Sequence, residues 1–201
     1  TSGWGTPSQT NDASGWGASP QTDTAGGWGA TTTTNDETVP WAGDFGPLAA
    51  FLDAGQWQEA DQETFKIILE TAQRESRSLL IWHGDLQVFP CDTLQKIDEL
   101  WVNASDGKFG FSVQKNIYEE VCGGSINNEN DSTSFRCFLE KVGWQKVWET
   151  SLSDLQVSYS IDSPPGHLPW QTFCGDNYCD GSMDELSLIS LLFSRLASCG
   201  L

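Results

Sequence analysis

Two histidines and a pair of nearby cysteines are the residues of this chain that most readily suggest chemistry. His83 and His167 lie in different segments, and neither is close in sequence to a serine or cysteine in a nucleophile motif. Cys174 and Cys179 have Asp176 between them, which is a weak zinc signal because no second pair of ligands completes a tetrahedral set. No glycine loop has phosphate-binding form. We therefore expect a binding or regulatory protein, not an enzyme, and no metal site.

The charge of the chain restricts its partners. There are 10 Lys and Arg residues against 28 Asp and Glu residues, which gives a formal net charge of -18 at pH 7. Nucleic acids and anionic membranes need clustered cations, so we expect neither, and expect a basic partner surface instead. Asp61, Glu63, Asp98 and Glu99 lie on predicted helices and are interpreted as solvated faces or helix caps.

Apolar runs and cysteines limit the class of protein further. No apolar run approaches the roughly 18 residues of a membrane span, so no membrane-spanning segment is predicted. The six cysteines are scattered and lack the density of a disulfide scaffold. We interpret them as mostly reduced and partly buried.

A repeat with a period of 12 residues marks the first part of the chain. Trp4, Trp16 and Trp28 each lie between two glycines, in a segment dominated by small and polar residues. Such a segment does not bury enough apolar surface to offset its ordering entropy, so residues 1–37 are predicted to be a disordered tail, followed by a linker at 38–44. The tail is either a linker with exposed aromatics or a multivalent tract whose tryptophans enter pockets on a partner. It resembles the Trp-Gly repeats that dock on Argonaute proteins.

From residue 45 onward, the spacing of apolar residues predicts an all-α domain of about six helices that extends to residue 201. Asp92 is a candidate helix N-cap, with Gln95 in the capping-box position. Residues 143–170 are predicted to be irregular because several prolines interrupt them, and residues 171–182 to be a polar loop. The predicted helices cover residues 47–54, 57–76, 92–103, 111–122, 132–142 and 183–198.

Several blocks of this domain resemble the signatures of the genomes-uncoupled-four family. Residues 55–64 fit its opening pattern G-x-W-x-x-A-D-x-x-T, and residues 97–101 and 107–114 fit its central signature, with Trp101 and the glycine turn in place. Further matches continue in the family order to the end of the chain, at residues 142–144, 148, 153–155, 166–169, 193–195 and 199. The resemblance covers the chain from about residue 45 onward.

This resemblance implies both a fold and a function. Members of the family are all-helical, have the shape of a cupped hand, and bind protoporphyrin IX and Mg-protoporphyrin IX without catalysing a reaction. They stimulate magnesium chelatase in chlorophyll biosynthesis, so the implied partner is the large, porphyrin-binding subunit of that enzyme. The implied location is a chloroplast or the cytoplasm of a cyanobacterium. The expected function is that of a porphyrin-binding regulator or sensor.

The resemblance also implies a set of ligand contacts. A porphyrin is a flat apolar disc with two carboxylates at one edge, so its site needs an apolar wall and cations at the rim. By position in the family, Trp148 and residues 164–182 form the lips, whereas Phe109 and Phe111 are either floor contacts or core residues. Gln114 is predicted to hold the backbone at the turn. The predicted ligand-binding residues are Trp148, Phe109, Phe111, Val113, Lys108, Lys115, Leu168, Trp170 and Arg195.

The chain departs from the family in its cations. Family members carry several basic residues along the central helix and in the late loop, whereas the central block here has only Lys108 and Lys115. Residues 170–194 contain no Lys or Arg, and their acids would repel a propionate by up to about 1 kcal/mol per exposed close pair. The alternative function is therefore a protein-interaction adaptor that keeps the fold and uses the repeats and the acidic surface. The acids concerned are Asp176, Asp180, Asp184 and Glu185.

Overall fold

The computed structural model describes residues 43–73, 83–125, 132–144, 157–174 and 183–201. The chain divides into two units, Thr1–Asp36 and Glu37–Leu201, and every described residue belongs to the second. The predicted disorder of residues 1–37 and the predicted lip residue Trp148 lie outside the described residues. The side chains of Cys174 and Cys179 also lie outside the described residues, so the structure does not test the expectation that they bind no zinc.

Helices supply the regular secondary structure of the described residues, which confirms the predicted all-α class. Two short helices, His83–Gln87 and Gln171–Cys174, were not predicted, and the second occupies part of the predicted loop at 171–182. A π-helical turn, Ile117–Val121, continues α5 where one longer α-helix was predicted. The α-helices are α1 Gly46–Asp53, α2 Trp57–Thr71, α3 His83–Gln87, α4 Cys91–Ala104, α5 Phe111–Asn116, α6 Ser132–Lys141, α7 Gln171–Cys174 and α8 Met183–Ser198.

The connection between α4 and α5 explains the glycine turn. The Ser105 hydroxyl donates to the Trp101 carbonyl (2.7 Å) and accepts from the Phe109 N–H (2.8 Å), which closes the end of α4. An Asp98 carboxylate oxygen of α4 accepts from the Ser112 N–H (2.8 Å) and so caps α5. Gly110 has φ 136°, and a Cβ at this position would lie 2.9 Å from the Asp98 carboxylate. The two helices approach this closely because residue 110 has no side chain.

The predicted cap of α4 is wrong. The helix begins at Cys91, directly after Pro90, and no side chain caps its first turn. Asp92 is already inside the helix and exposed, because Pro90 ends the preceding extended chain and starts the helix two residues earlier. The Gln95 amide donates to the Cys199 carbonyl (2.7 Å) instead. Gln95 therefore joins α4 to the end of α8.

Aromatic side chains fill the core in two groups. Trp57 stacks on Trp101 with 6.1 Å between ring centroids, and Phe109 packs edge-on against both. The Trp101 indole donates to the Thr64 hydroxyl (2.9 Å), so this buried polar atom is satisfied. The second group surrounds the buried Tyr118 and joins the π-helical turn, α6 and α8; it consists of Tyr118, Phe135, Phe138, Trp144 and Phe193.

Two disulfides correct the interpretation of the cysteines as mostly reduced. Cys91 at the start of α4 is bonded to Cys199 after α8, and Cys122 after the π-helical turn is bonded to Cys137 in α6. The partners are 108 and 15 residues apart in sequence, so only the packing of the helices brings them together. None of the described helices has both the length and the apolar character needed to cross a membrane.

Candidate functional site

Residues 157–173 form an irregular strap that crosses α2, α5 and the end of α6 and finishes in α7. We call these residues the 157–173 segment. Most of its second half is buried, although it has little regular structure. It contains Gly166 at φ 72° and a cis peptide bond before Pro169. A buried irregular segment needs partners for its backbone polar groups, and three buried side chains provide them.

Asp61 of α2 holds both ends of the segment. One carboxylate oxygen accepts from the backbone N–H groups of Trp170 (2.9 Å) and Gln171 (3.1 Å), and the other accepts from Gln171 (3.1 Å). The Tyr159 hydroxyl is hydrogen-bonded to the same carboxylate. The side chain is fully buried, and this desolvation outweighs the hydrogen bonds and raises the pKa of Asp61 to about 7.

Gln114 of α5 holds the middle of the segment. Its amide nitrogen donates to the carbonyls of Gly166 (3.0 Å) and Pro169 (2.8 Å). Gln114 therefore fixes backbone as predicted, but that of the 157–173 segment and not that of the glycine turn. Two backbone bonds add to this contact, from the Gly166 N–H to the Lys108 carbonyl (2.8 Å) and from the Gly110 N–H to the Leu168 carbonyl (3.1 Å). The central signature and the 157–173 segment thus form one hydrogen-bonded unit.

His167 is a structural residue in this site. Its Nε2 accepts from the Ser158 N–H (3.2 Å), so the proton of the neutral ring lies on Nδ1, which donates to the Val142 carbonyl (2.7 Å). The His167 carbonyl accepts from the Trp144 indole (3.1 Å). Burial lowers the pKa of His167, because desolvation disfavours the charged ring. Both ring nitrogens are engaged, so this histidine has none free for acid–base chemistry.

Two predicted floor residues, Phe109 and Phe111, and two residues of the predicted lip, Leu168 and Trp170, lie behind the surface. Phe109, Phe111 and Leu168 have no exposed side-chain area, and Trp170 is 8% exposed. Phe111 packs edge-on against Phe173, and Trp170 packs edge-on against Trp144 at 4.8 Å between centroids. Burial favours the core alternative for Phe109 and Phe111. The half-buried Val113 is the member of the predicted floor with surface left for a ligand.

The three predicted rim cations do not converge. Lys108 lies at the edge of the 157–173 segment and donates to the Ile161 carbonyl (2.5 Å). Lys115 is nearly buried and forms an ion pair with Glu119 (2.9 Å), so its charge is largely neutralised. Arg195 donates to the Phe89 carbonyl (2.8 Å), close to the disulfide of Cys91. Lys108 is thus the predicted cation with a hydrogen bond to the 157–173 segment.

The comparison with known proteins settles the family. A family model described as GUN4-like matches residues 40–182. The chain belongs to the GUN4-like family. It is 27% identical over 128 residues to a chloroplastic tetrapyrrole-binding protein of Arabidopsis thaliana, covering 63% of this chain and 43% of that protein. It is 30% identical over 124 residues to the ycf53 protein of Cyanidium caldarium, covering 61% of this chain and 48% of that protein. The chain spans about half the length of the curated relatives it matches.

Solved structures agree with the family. The ligand-free GUN4 structure of Arabidopsis thaliana is 26% identical and has a TM-score of 0.55, with 77% of this chain and 99% of that chain covered. The GUN4 structure of Chlamydomonas reinhardtii has a TM-score of 0.56 at 22% identity, covers 78% of this chain and 92% of that chain, and supports the fold alone. The predicted family resemblance is thereby confirmed.

The GUN4-like opening signature has a structural meaning here. Gly55 follows α1 with φ 68°, and Trp57 completes the stack on Trp101. Asp61 binds the backbone at the start of α7, and Thr64 accepts the Trp101 indole proton. These positions build the frame of the domain and hold the 157–173 segment.

The interpretation of the four helical acids as solvated faces or caps was right for most of them and wrong for Asp61. Asp98 is a cap, although of the following helix, and Glu63 and Glu99 form surface ion pairs with lysines of their own helices. Asp61 is fully buried. Its position between Ala60 and the buried Thr64, on the apolar face of α2, is the sequence signal that would have identified it. Tyr159 lies in an irregular segment without periodicity, so sequence reasoning missed it.

Proposed function

We propose that this chain binds a tetrapyrrole, with protoporphyrin IX or Mg-protoporphyrin IX as the ligand, and acts as a porphyrin-binding regulator. The observation that carries the proposal is the 157–173 segment, an irregular strap fixed by Asp61, Gln114 and His167. Irregular backbone that is held so firmly is typical of a binding site built on a rigid scaffold. Family membership and the similarity to the tetrapyrrole-binding protein of Arabidopsis thaliana support this ligand class.

The proposed contact surface is the half-buried apolar rim of this segment. Val113, Ile117, Val157 and Tyr159 are each partly exposed, and the last three also pack against the core. Apolar side chains that keep some exposed area are suited to contact a flat macrocycle. Trp148, which precedes the segment in sequence, and residues 164–182, which begin within it, remain the proposed lips. Lys108, Lys115 and Arg195 remain the proposed source of positive charge, with Lys108 the best placed.

The first test is a titration with deuteroporphyrin IX, a soluble porphyrin dicarboxylate, followed by tryptophan fluorescence. Trp148→Ala should weaken binding while circular dichroism stays unchanged. Trp16→Ala is the matched control, because it also removes one tryptophan but lies in the tail. Equal affinities in the wild type and Trp148→Ala would exclude Trp148 as a contact.

The charge of the late loop gives a second test of the same site. Asp176 and Asp180 lie where a basic loop is usual, so porphyrin affinity should rise with salt as screening weakens the repulsion. Replacing both with Asn should have the same effect at low salt. A fall of affinity with salt would mean that the cations dominate the rim. Porphyrin aggregation is controlled by the absorbance of the free ligand at each salt concentration.

We further propose that the ligand-bound protein stimulates magnesium chelatase through its large, porphyrin-binding subunit, in a chloroplast or a cyanobacterial cytoplasm. The chloroplastic name of the Arabidopsis relative and the related protein of Synechocystis support this location. The test is chelatase activity with and without the full chain, using Trp148→Ala as the binding-deficient control. The chain itself is proposed to catalyse no reaction.

The adaptor function is the second candidate, because the net charge of -18 and the Trp-Gly repeats favour a protein partner. It predicts that deuteroporphyrin IX does not bind at any salt concentration. It also predicts that removal of residues 1–37 abolishes partner capture. Porphyrin binding at micromolar concentration would count against an adaptor that has lost the ligand.

A further inference from the structure

We propose that Asp61 is a positioning residue that couples the protonation of one buried carboxylate to the shape of the 157–173 segment and, through it, to ligand affinity. The inference deepens the proposed function and rests on it for the ligand. The contact between Asp61 and the segment does not depend on any ligand, so the coupling and the binding function are tested separately.

The geometry places one carboxylate at both ends of the segment. Tyr159 reaches Asp61 from near the start of the segment, and the N–H groups of Trp170 and Gln171 reach it from the end. The carboxylate thus closes a loop that contains the buried turn around Gly166. Gln114 and His167 hold the inside of the same loop. The hydrogen bonds of Asp61 therefore help to hold the two ends of the 157–173 segment together.

Protonation changes what this carboxylate is able to do. Ionised Asp61 accepts from all three donors, and hydrogen bonds to an ionised acceptor are roughly twice as strong as those to a neutral one. A protonated carboxyl has a donor proton on one oxygen, which then competes with the donors already directed at it. The Tyr159 hydroxyl must turn to accept, or lose its partner. The ends of the segment are consequently held more weakly in the protonated state.

The surroundings of Asp61 contain no described cation that would fix its charge. Tyr159 is the titratable side chain that acts on it directly, and burial together with the charge of Asp61 raises the pKa of Tyr159. On α2, Glu59 is exposed and Glu63 is paired with Lys66, whereas Asp53 of α1 is exposed. The described side chains of α7 carry no charge. With the pKa of Asp61 near 7, both protonation states are populated at neutral pH.

The coupling makes two opposite predictions for one pH change. From pH 6 to pH 8, Asp61 becomes ionised. The ionised carboxylate should bind the 157–173 segment more strongly than the protonated one and so raise ligand affinity. The same ionisation should lower the free energy of unfolding, because a carboxyl whose pKa is raised in the folded state contributes stability that is lost as pH rises through that pKa. A merely structural residue would move affinity and stability in the same direction.

The first experiment needs no ligand. The backbone amide resonances of Trp170 and Gln171 are followed by NMR in the full chain from pH 5.5 to pH 8.5. They should titrate with a midpoint of about 7 in the wild type. Tyr159→Phe removes a hydrogen bond that lowers the pKa of Asp61, so the midpoint should move upward. In Asp61→Asn the titration should disappear.

Asp98→Asn is the matched control, because it changes another buried carboxylate that accepts backbone N–H groups, and it should leave the Trp170 titration in place. Amides of Trp170 and Gln171 that do not titrate between pH 6 and pH 8 in the wild type would overturn the proposal. An unchanged midpoint in Tyr159→Phe would also overturn it, and this result is available even if Asp61→Asn does not fold.

The second experiment measures deuteroporphyrin IX affinity at pH 6 and pH 8. The wild type should bind about fivefold more tightly at pH 8, which is the factor that one ordinary hydrogen bond contributes. Asp61→Asn should lose this difference. Equal pH dependence in both proteins would refute the coupling and leave the binding function standing. If the amide resonances titrate but no porphyrin binds, the binding function is refuted, whereas the coupling of Asp61 protonation to the 157–173 segment is retained.

Discussion

Removal of the Cys91–Cys199 disulfide should destabilise the domain more than removal of Cys122–Cys137. A disulfide stabilises chiefly by restricting the unfolded chain, and the restriction grows with the length of the closed loop. For sequence separations of 108 and 15 residues, the loop-entropy relation gives about 4.8 and about 3 kcal/mol respectively. The expected difference between the two double alanine variants is therefore about 2 kcal/mol.

The native contacts between the start of α4 and the end of α8 should remain when the Cys91–Cys199 disulfide is removed. The Gln95 amide still donates to the Cys199 carbonyl, and Arg195 still donates to the Phe89 carbonyl, so the helix ends keep their contacts. The variant should then show a native circular dichroism spectrum and a lower urea midpoint with an almost unchanged slope. This combination would separate an effect on the unfolded chain from damage to the folded one.

The assay is urea unfolding with and without a dithiol reductant, together with alkylation and mass measurement of free thiols. Reduction should lower the wild-type midpoint to that of the variant without the four cysteines and should leave that variant unchanged. An unchanged wild-type midpoint would refute the loop-entropy reasoning, and so would a larger loss from the 15-residue bridge. A native protein in which Cys91, Cys122, Cys137 and Cys199 are all alkylated before reduction would restore the interpretation of reduced cysteines.

Three further predictions concern the frame of the site. Trp101→Ala should cost about 3–5 kcal/mol in urea unfolding, because it removes a fully buried ring and leaves Thr64 without its donor. Gly110→Ala should cost about 1–3 kcal/mol from strain at φ 136° and the clash with Asp98, and more than Gly107→Ala, where φ is 77° but the space is open; equal losses would argue against the clash. The pKa of His167 is lowered below 6.5, so its contribution to stability is complete above that pH and declines as pH falls further. The stability difference between wild type and His167→Gln should accordingly shrink from pH 7 to pH 5, and a constant difference would show that His167 does not titrate.

Much of the fold could be predicted from the sequence because the apolar residues of a helix repeat at a short, local spacing. The last helix was predicted at 183–198 and is found there, since Ile189, Phe193 and Leu196 repeat at helical spacing and are buried. The turn after α4 was likewise predicted, because Gly107 favours a left-handed conformation. The family resemblance supplied the central block. The local pattern and the resemblance together were sufficient for the all-α class.

The parts that the sequence did not reveal depend on contacts between distant residues. The pairing of Cys91 with Cys199 needs the folded domain to bring the start of α4 next to the end of α8, and no spacing rule contains it. The burial of Asp61 contradicts the usual preference of a carboxylate for solvent, and its backbone donors lie 109 and 110 residues away. Phe109 and Phe111 looked equally suited to a ligand and to the core, because hydrophobicity alone does not distinguish an apolar pocket from an apolar interior.

The sequence separation between Asp61 and its backbone donors has a consequence for folding during translation. The chain must add 109 residues after Asp61 before the Trp170 N–H exists, which takes about 5 to 20 s at ordinary rates of translation. Cys91 likewise waits for Cys199, 108 residues later. During this interval the Asp61 carboxylate lacks its backbone donors, and the part of α2 that packs against α7 stays uncovered. We therefore expect the helices to form early on the ribosome and the binding site to close last, so that ligand binding reports a completed chain.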